Sequence, residues 1–412
     1  MTELPRVTRR GALLGAAALL GAPAISRAQS DTLRFGHLTP RTGFLGPLGE
    51  FAVQAATLAM DEVNAGGGIN GRKLEISFED SVNPQTANSK AERYIQRDGI
   101  RYILGEINSA SALAIGQVVQ REGAMFINTG ANSDALRSTD CRRNMFHIEG
   151  QNSMYVKAVG RALMEKGLIR DKKAYALTAD YAFGHDLLKV AKRFLGENGG
   201  TIANEDLIPT DLTDFSPFLL KLRRARPDVV VANLAGAQIT NFLKQYSEFG
   251  LAMPVAGFGF DTALAWGAGS GNFLGTWPTM WHHRLENAAA KKFTADFRGR
   301  FGRPPENQAW GDYNAVKILA QSMNELKSND VAKVVEHLQK GARFNVLKDR
   351  ESYFRARDNQ IMTEMYAISA LPPAEQKDRF DIFTSSPPIP GPGESLEAIA
   401  STPDEASCTF PS

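Results

Sequence analysis

The apolar positions of this chain switch repeatedly between two spacings. Leu33 to Leu38 and Leu74 to Phe78 are short stretches with strand spacing, whereas Ala52, Ala55, Ala56, Ala59, Met60 and Val63 recur at helical spacing between Leu48 and Asn64. That helix stops at Ala65-Gly66-Gly67-Gly68, where glycine supplies the backbone freedom a helix end needs. Pro84 stands near the start of a second helix, with Ala87, Ala91, Tyr94 and Ile95 on one face. A strand at Tyr102 to Leu104, a helix through Val119 and a strand at Met125 to Ile127 continue the series. The rhythm restarts after Glu149 and runs through strands at Ala174 to Leu177, Thr201 to Ala203, Val229 to Ala232 and Val255 to Gly257. Helices stand between them, one opening at Ser216-Pro217, where Ser offers a capping oxygen and Pro suits the first turn. Continuous apolar strands between helices predict parallel sheets covered on both faces. Glu286 to Gly302 and Asn314 to Leu326 read as helices, Tyr353 to Ala370 as a hairpin around Asp358-Asn359, and the Pro-rich segment after Leu371 as a draped tail.

The first thirty residues break this pattern. Thr8-Arg9-Arg10 precedes an apolar stretch from Gly11 to Ile25, and the small-x-small site Ser26-Arg27-Ala28 follows. This is the order of a secretory signal, with cleavage expected after Ala28, and the paired arginines favour the twin-arginine route. The stretch is shorter than the roughly 20 residues of a membrane span, so a soluble exported protein is expected. Lysines and arginines are scattered among acids and the net charge is +2, which makes nucleic acid an unexpected partner. In an oxidising compartment the only two cysteines, Cys141 and Cys408, are expected to pair and staple the tail; the alternative is two unrelated thiols. No metal and no cofactor are expected, and His282-His283 reads as a surface pair.

Ligands of open parallel sheets sit beyond the carboxyl ends of the strands. Those ends here offer Asn108 and Ser109, then Gly130 and Asn132, then Tyr181 and Phe183, then Ala235, then Phe258 and Asp261. Ser109 begins a helix whose free N–H groups would suit a carboxylate, and Gly130 permits close backbone approach. Ser109 and Asn132 could equally cap their own helices. The second set is aromatic and could wall an apolar body or face a cation. No Gly-x-Ser-x-Gly, phosphate loop or His-Glu-x-x-His is present, and the Gly66 to Gly71 match to a dinucleotide fingerprint ends a helix instead of following a strand.

Gly43-Phe-Leu-Gly-Pro-Leu-Gly49 and Asn64-Ala-Gly-Gly-Gly-Ile-Asn-Gly-Arg-Lys-Leu74 resemble the opening of the leucine/isoleucine/valine-binding protein family, the type I extracytoplasmic solute-binding proteins of ABC importers. Asp80, Asn108-Ser109, Asp180 to Gly184, Thr213 to Ser216, Trp310 to Ala315 and Arg357 to Gln360 continue the resemblance in order. It implies an α/β fold of two Rossmann-like lobes joined by a three-crossover hinge. The implied division is a signal over 1–28, lobe I over 31–148, lobe II over 149–278, a return to lobe I over 279–349, and a return to lobe II with the tail over 350–412. It also implies a carboxylate near Ser109 and the Gly130 to Asn132 loop, Phe183 lining the pocket, and an acid from the second lobe on the ligand ammonium. Asp261 is displaced slightly from the acid's place, so either it takes that role or the ligand lacks an ammonium. The expected function is periplasmic capture of an amino acid, such as a branched-chain one, or a related small carboxylate, handed without turnover to ABC permease subunits by a monomer. The rivals are a ligand-sensing module for a membrane receptor and a secreted hydrolase.

Overall fold

Strands that are apolar on both faces need cover on both faces, and the chain builds two sheets of this kind. The computed structural model describes residues 32–269 and 271–411; the expected export signal lies outside them. Strands β1 (Thr32–Thr39), β2 (Lys73–Asp80), β3 (Tyr102–Gly105), β4 (Met125–Asn128) and β5 (Met145–His147) enter the first sheet. Strands β6 (Lys173–Ala179), β7 (Thr201–Ile208), β8 (Val229–Asn233), β9 (Val255–Gly257) and β10 (Thr276–Thr279) enter the second. The chain then adds β11 (Tyr353–Arg355) and β12 (Gln360–Met362) to the first, and β13 (Tyr366–Ala370) and β14 (Phe383–Ser385) to the second. The orders are β11-β12-β5-β4-β3-β1-β2 and β14-β13-β10-β9-β8-β6-β7. β1 to β5 pair in parallel, as do β6 to β10; β11 runs antiparallel to β12, and β13 antiparallel to both β10 and β14.

Each sheet has its own core. Phe35, Leu104 and Ile127 are buried in the first with Trp310 and Phe297 of the returning helices; Leu177, Val230 and Ala256 are buried in the second with Phe242. The chain passes between the lobes after β5, after β10 and after β12. The third passage therefore occupies residues 363–365 and not the neighbourhood of Arg350. The hairpin of β11 and β12 joins the first sheet, because Gln360 pairs with His147 and its side chain reaches Arg137 Nε at 2.8 Å and the Glu149 carbonyl at 2.9 Å. These buried polar groups satisfy one another only in that register.

The tail is tied to both lobes. Cys141 and Cys408 are joined by a disulfide, which fixes the tail to the first lobe. Ser401 O accepts from Arg355 at 3.2 Å on the same side. Glu405 meets Lys157 at 2.5 Å and Arg193 at 3.1 Å, both on helices of the second lobe. Among the described residues no helix is long and apolar enough to cross a membrane.

Candidate functional site

The carboxyl ends of the two sheets face one another, and a cavity lies between them. Its first-lobe wall includes Leu45, Ile107, Gly130 and Asn132; its second-lobe wall includes Tyr181, Phe183, Ala235, Phe260 and Asp261. The lobes also touch around it. Ala237 N donates to Phe44 O at 2.8 Å, Phe44 and Tyr181 meet edge to face at 5.5 Å, and Asn307 Nδ2 donates to Asp261 Oδ1 at 3.0 Å.

Of the strand-end residues singled out from sequence, Gly130, Asn132, Tyr181, Phe183, Ala235 and Asp261 come together at this cavity. Asn108, Ser109 and Phe258 do not line it. Asn108 Oδ1 accepts from Ala110 N and Ser111 N, so the side chain is the cap of helix Ser109–Glu122 and covers the N–H groups that an anion would need. Ser109 is fully buried, and its hydroxyl accepts from Ser133 N at 3.4 Å. Phe258 is buried in the second-lobe core, and the cavity is lined instead by Gly259 and the residues after it. His282 is likewise no surface residue. It is 3% exposed against the rings of Tyr366 and Phe383, and burial pushes its imidazole down to about 3. Among the described residues no group of three His, Cys, Asp or Glu is arranged to hold a metal ion.

The polar end of the cavity contains residues the strand-end rule does not reach. Glu149 sits at the first passage between lobes, Tyr155 on the helix that follows, and Asn307 at the start of helix Asn307–Leu326. Asn132 Nδ2 and Gly150 N donate to Glu149 Oε1 at 3.0 and 2.9 Å, and Tyr155 Oη donates to the same oxygen. Asn307 Nδ2 donates to Glu149 Oε2 at 3.2 Å as well as to Asp261. Burial, followed by the charge of Asp261, pushes the Glu149 carboxyl up to about 8; burial pushes Asp261 up to about 6. Around this end the walls are aliphatic and aromatic, with Leu234, Ile239 and Leu264 beside Phe183 and Phe260.

The architecture has relatives among known proteins. A family model described as periplasmic binding protein matches residues 32–371. The chain belongs to the periplasmic binding protein family. The Leu/Ile/Val-binding protein homolog 7 of Brucella melitensis is 25% identical over 349 residues, covering 79% of this chain and 84% of that protein. A periplasmic binding protein of Burkholderia mallei superposes with a TM-score of 0.84 at 25% identity, over 92% of this chain and 99% of that one. A solute-binding protein of an ABC transporter from Rhodopseudomonas palustris, solved with 3,4-dihydroxybenzoic acid, shares the fold with a TM-score of 0.77 at 22% identity, over 86% and 96% of the two chains. Close backbone packing between the end of β6 and the helix that follows it fixes the position of Phe183. Gly184, next to Phe183, shows this: a Cβ there would lie 1.9 Å from the Ala179 carbonyl oxygen. Gly184→Ala is therefore expected to lower stability by about 1–3 kcal/mol and to displace Phe183. Urea unfolding of this periplasmic binding protein checks it, and a midpoint unchanged from wild type would show that the helix can slide away freely.

Proposed function

We propose that the protein is an exported solute-binding subunit that captures an amino acid or related small carboxylate between its lobes and delivers it unchanged to an ABC permease. The observation that carries this reading is the cavity itself: both lobes wall it, and the chain passes between them three times beside it. A ligand that touches both walls favours the closed arrangement, because closure responds only to differential affinity for the two states. The closed shape is then what a permease reads. The apolar wall suits an alkyl or aryl body, and Asp261 suits an ammonium. The names of the relatives support the same range, from branched-chain amino acids in Brucella to an aromatic acid in Rhodopseudomonas. The ordered Thr8-Arg9-Arg10, apolar stretch and Ala28 support export.

A thermal-shift screen of amino acids, aliphatic acids and aromatic acids tests the reading. A ligand present at about 100 times its Kd adds about 2.7 kcal/mol to the folded state, and a clear rise in melting temperature is expected for at least one class. Mass spectrometry of the recovered ligand should return it at its original mass. A screen without any hit counts against capture of small acids, and a changed mass would favour a hydrolase.

A further inference from the structure

An ordinary amino-acid site needs one acid for the ammonium, and Asp261 supplies it in the reading above. The cavity contains a second carboxyl, that of Glu149, and its surroundings leave it without a cation. Asn307 bridges Glu149 and Asp261 with its Nδ2, so the two carboxyls are near neighbours. The other end of that amide, Oδ1, has no hydrogen-bond partner, although Asn307 is 1% exposed and lines the cavity. Its nitrogen is the end turned to both acids. Two carboxyls, those of Asp261 and Glu149, thus converge on one end of the cavity beside an amide whose oxygen is unpaired. A buried acceptor without a donor costs about 1–3 kcal/mol.

The basic groups nearby do not meet this demand. Arg137 turns its guanidinium to the carbonyls of Ala131, Ser133 and Glu149 and to Gln360 Oε1, not to the Glu149 carboxyl. Lys348 donates to the Glu364 carbonyl and lies over the Trp310 ring. Arg303 pairs with Glu50 at 3.2 Å and donates to Gln54 Oε1 at 2.9 Å, while Glu306, which caps the helix of Asn307, is pushed well up by burial and by the charge of Asp261. Tyr155 and Asn132 give Glu149 neutral hydrogen bonds only. Among the described residues no Lys, Arg or His lines the cavity.

We propose that Glu149 is a second anionic contact for the ligand's ammonium, so that the site recognises its ligand by a positively charged amine end and takes it up with release of a proton. The inference rests on the solute-binding reading and narrows its ligand class. A primary ammonium has three donors and can meet both carboxyls at once. The proton leaves the Glu149 carboxyl for the buffer as the cation takes its place. Burial holds Glu149 protonated up to about 8, so the ligand's charge must ionise it. Binding that favours the ionised form lowers the carboxyl's pKa, and affinity therefore rises with pH, by up to about tenfold per unit for one proton.

Isothermal calorimetry with two ligand triads separates the outcomes. The probes are L-leucine, isopentylamine and isocaproate, and L-phenylalanine, phenethylamine and hydrocinnamate; in each triad the amine lacks the carboxylate and the acid lacks the ammonium. The amine is expected to retain measurable affinity and the acid to bind at least about 100-fold more weakly than the amino acid. Titrations in two buffers of different ionisation enthalpy should show proton release, with tighter binding at about pH 8 than at about pH 6. Glu149→Gln should weaken the amine and the amino acid by at least about tenfold and abolish the release measured at about pH 8, where Asp261 is already ionised. Should that variant fail to fold, the wild-type proton count and the amine-to-acid ratio still decide. Acids that bind as well as the amines, or binding without proton release, would overturn the inference and leave solute capture standing. Failure of all six probes would remove both.

Discussion

Arg137→Met is expected to cost the protein about 3–5 kcal/mol, the range for removing one member of a buried ionic network. Arg137 is fully buried, and burial lowers its guanidinium only to about 10, so it is charged at neutral pH. It holds four acceptors: Ala131 O at 2.8 Å, Ser133 O at 3.2 Å, Glu149 O at 2.7 Å and Gln360 Oε1 at 2.8 Å. Glu149 belongs to the first passage between lobes and Gln360 to the strand before the third. Methionine fills similar volume and donates to none of them. The variant also takes from Asp134, itself pushed up to about 6 by burial and by Asp186, the opposing pull of the Arg137 charge. Urea unfolding at unchanged m-value measures the loss. A cost below about 1 kcal/mol would mean that water reaches these carbonyls and that the network is not what fixes the hinge.

The same network explains what could and could not be read from the chain. The valine-rich run at Val229 to Ala232 and the glycine stop after Ala65 announce their elements locally, and the α/β alternation with its strand-end loops follows from them. The placement of the hairpin around Asp358-Asn359 is different. Its alternation shows two paired strands, but the choice of sheet depends on Gln360 meeting Arg137, 223 residues away. At the site, Tyr181, Ala235 and Asp261 follow their strands directly, so topology alone leads to them. Asn108 and Ser109 follow a strand just as directly, yet the Asn108 side chain is spent on its own helix. Whether a strand-end polar group caps or binds is decided by its rotamer, which spacing does not encode. Glu149, Tyr155 and Asn307 reach the cavity from the first passage and the returning helix. The one sequence signal for Asn307 is Pro304-Pro305 ahead of a capping Glu306, which marks a helix start but not where it points.

Asp261→Ala is expected to weaken binding of an amine-bearing ligand by about 2–5 kcal/mol, roughly 30- to several-thousand-fold in Kd. Asp261 stands at the start of helix Thr262–Ala268, yet its side chain makes no capping hydrogen bond. Its carboxyl instead meets Asn307 across the lobe junction and lines the cavity. The residue therefore gives up a local stabilisation of about 1 kcal/mol, which Asp supplies at most helix starts. Its protonation carries a separate signature. Burial raises the carboxyl from 3.8 to about 6, so the free protein loses stability as pH rises through that window. Asp261→Asn should remove that loss and melt at the same temperature as wild type or higher near neutral pH, while still binding an amine poorly. Calorimetry and pH-resolved melting of the two variants check both halves. An Asn variant with wild-type affinity would take Asp261 out of the ligand's contacts and leave Glu149 as the sole anionic partner. A variant that bound a bare carboxylate more tightly than wild type would show instead that the negative charge at this position is what turns such acids away.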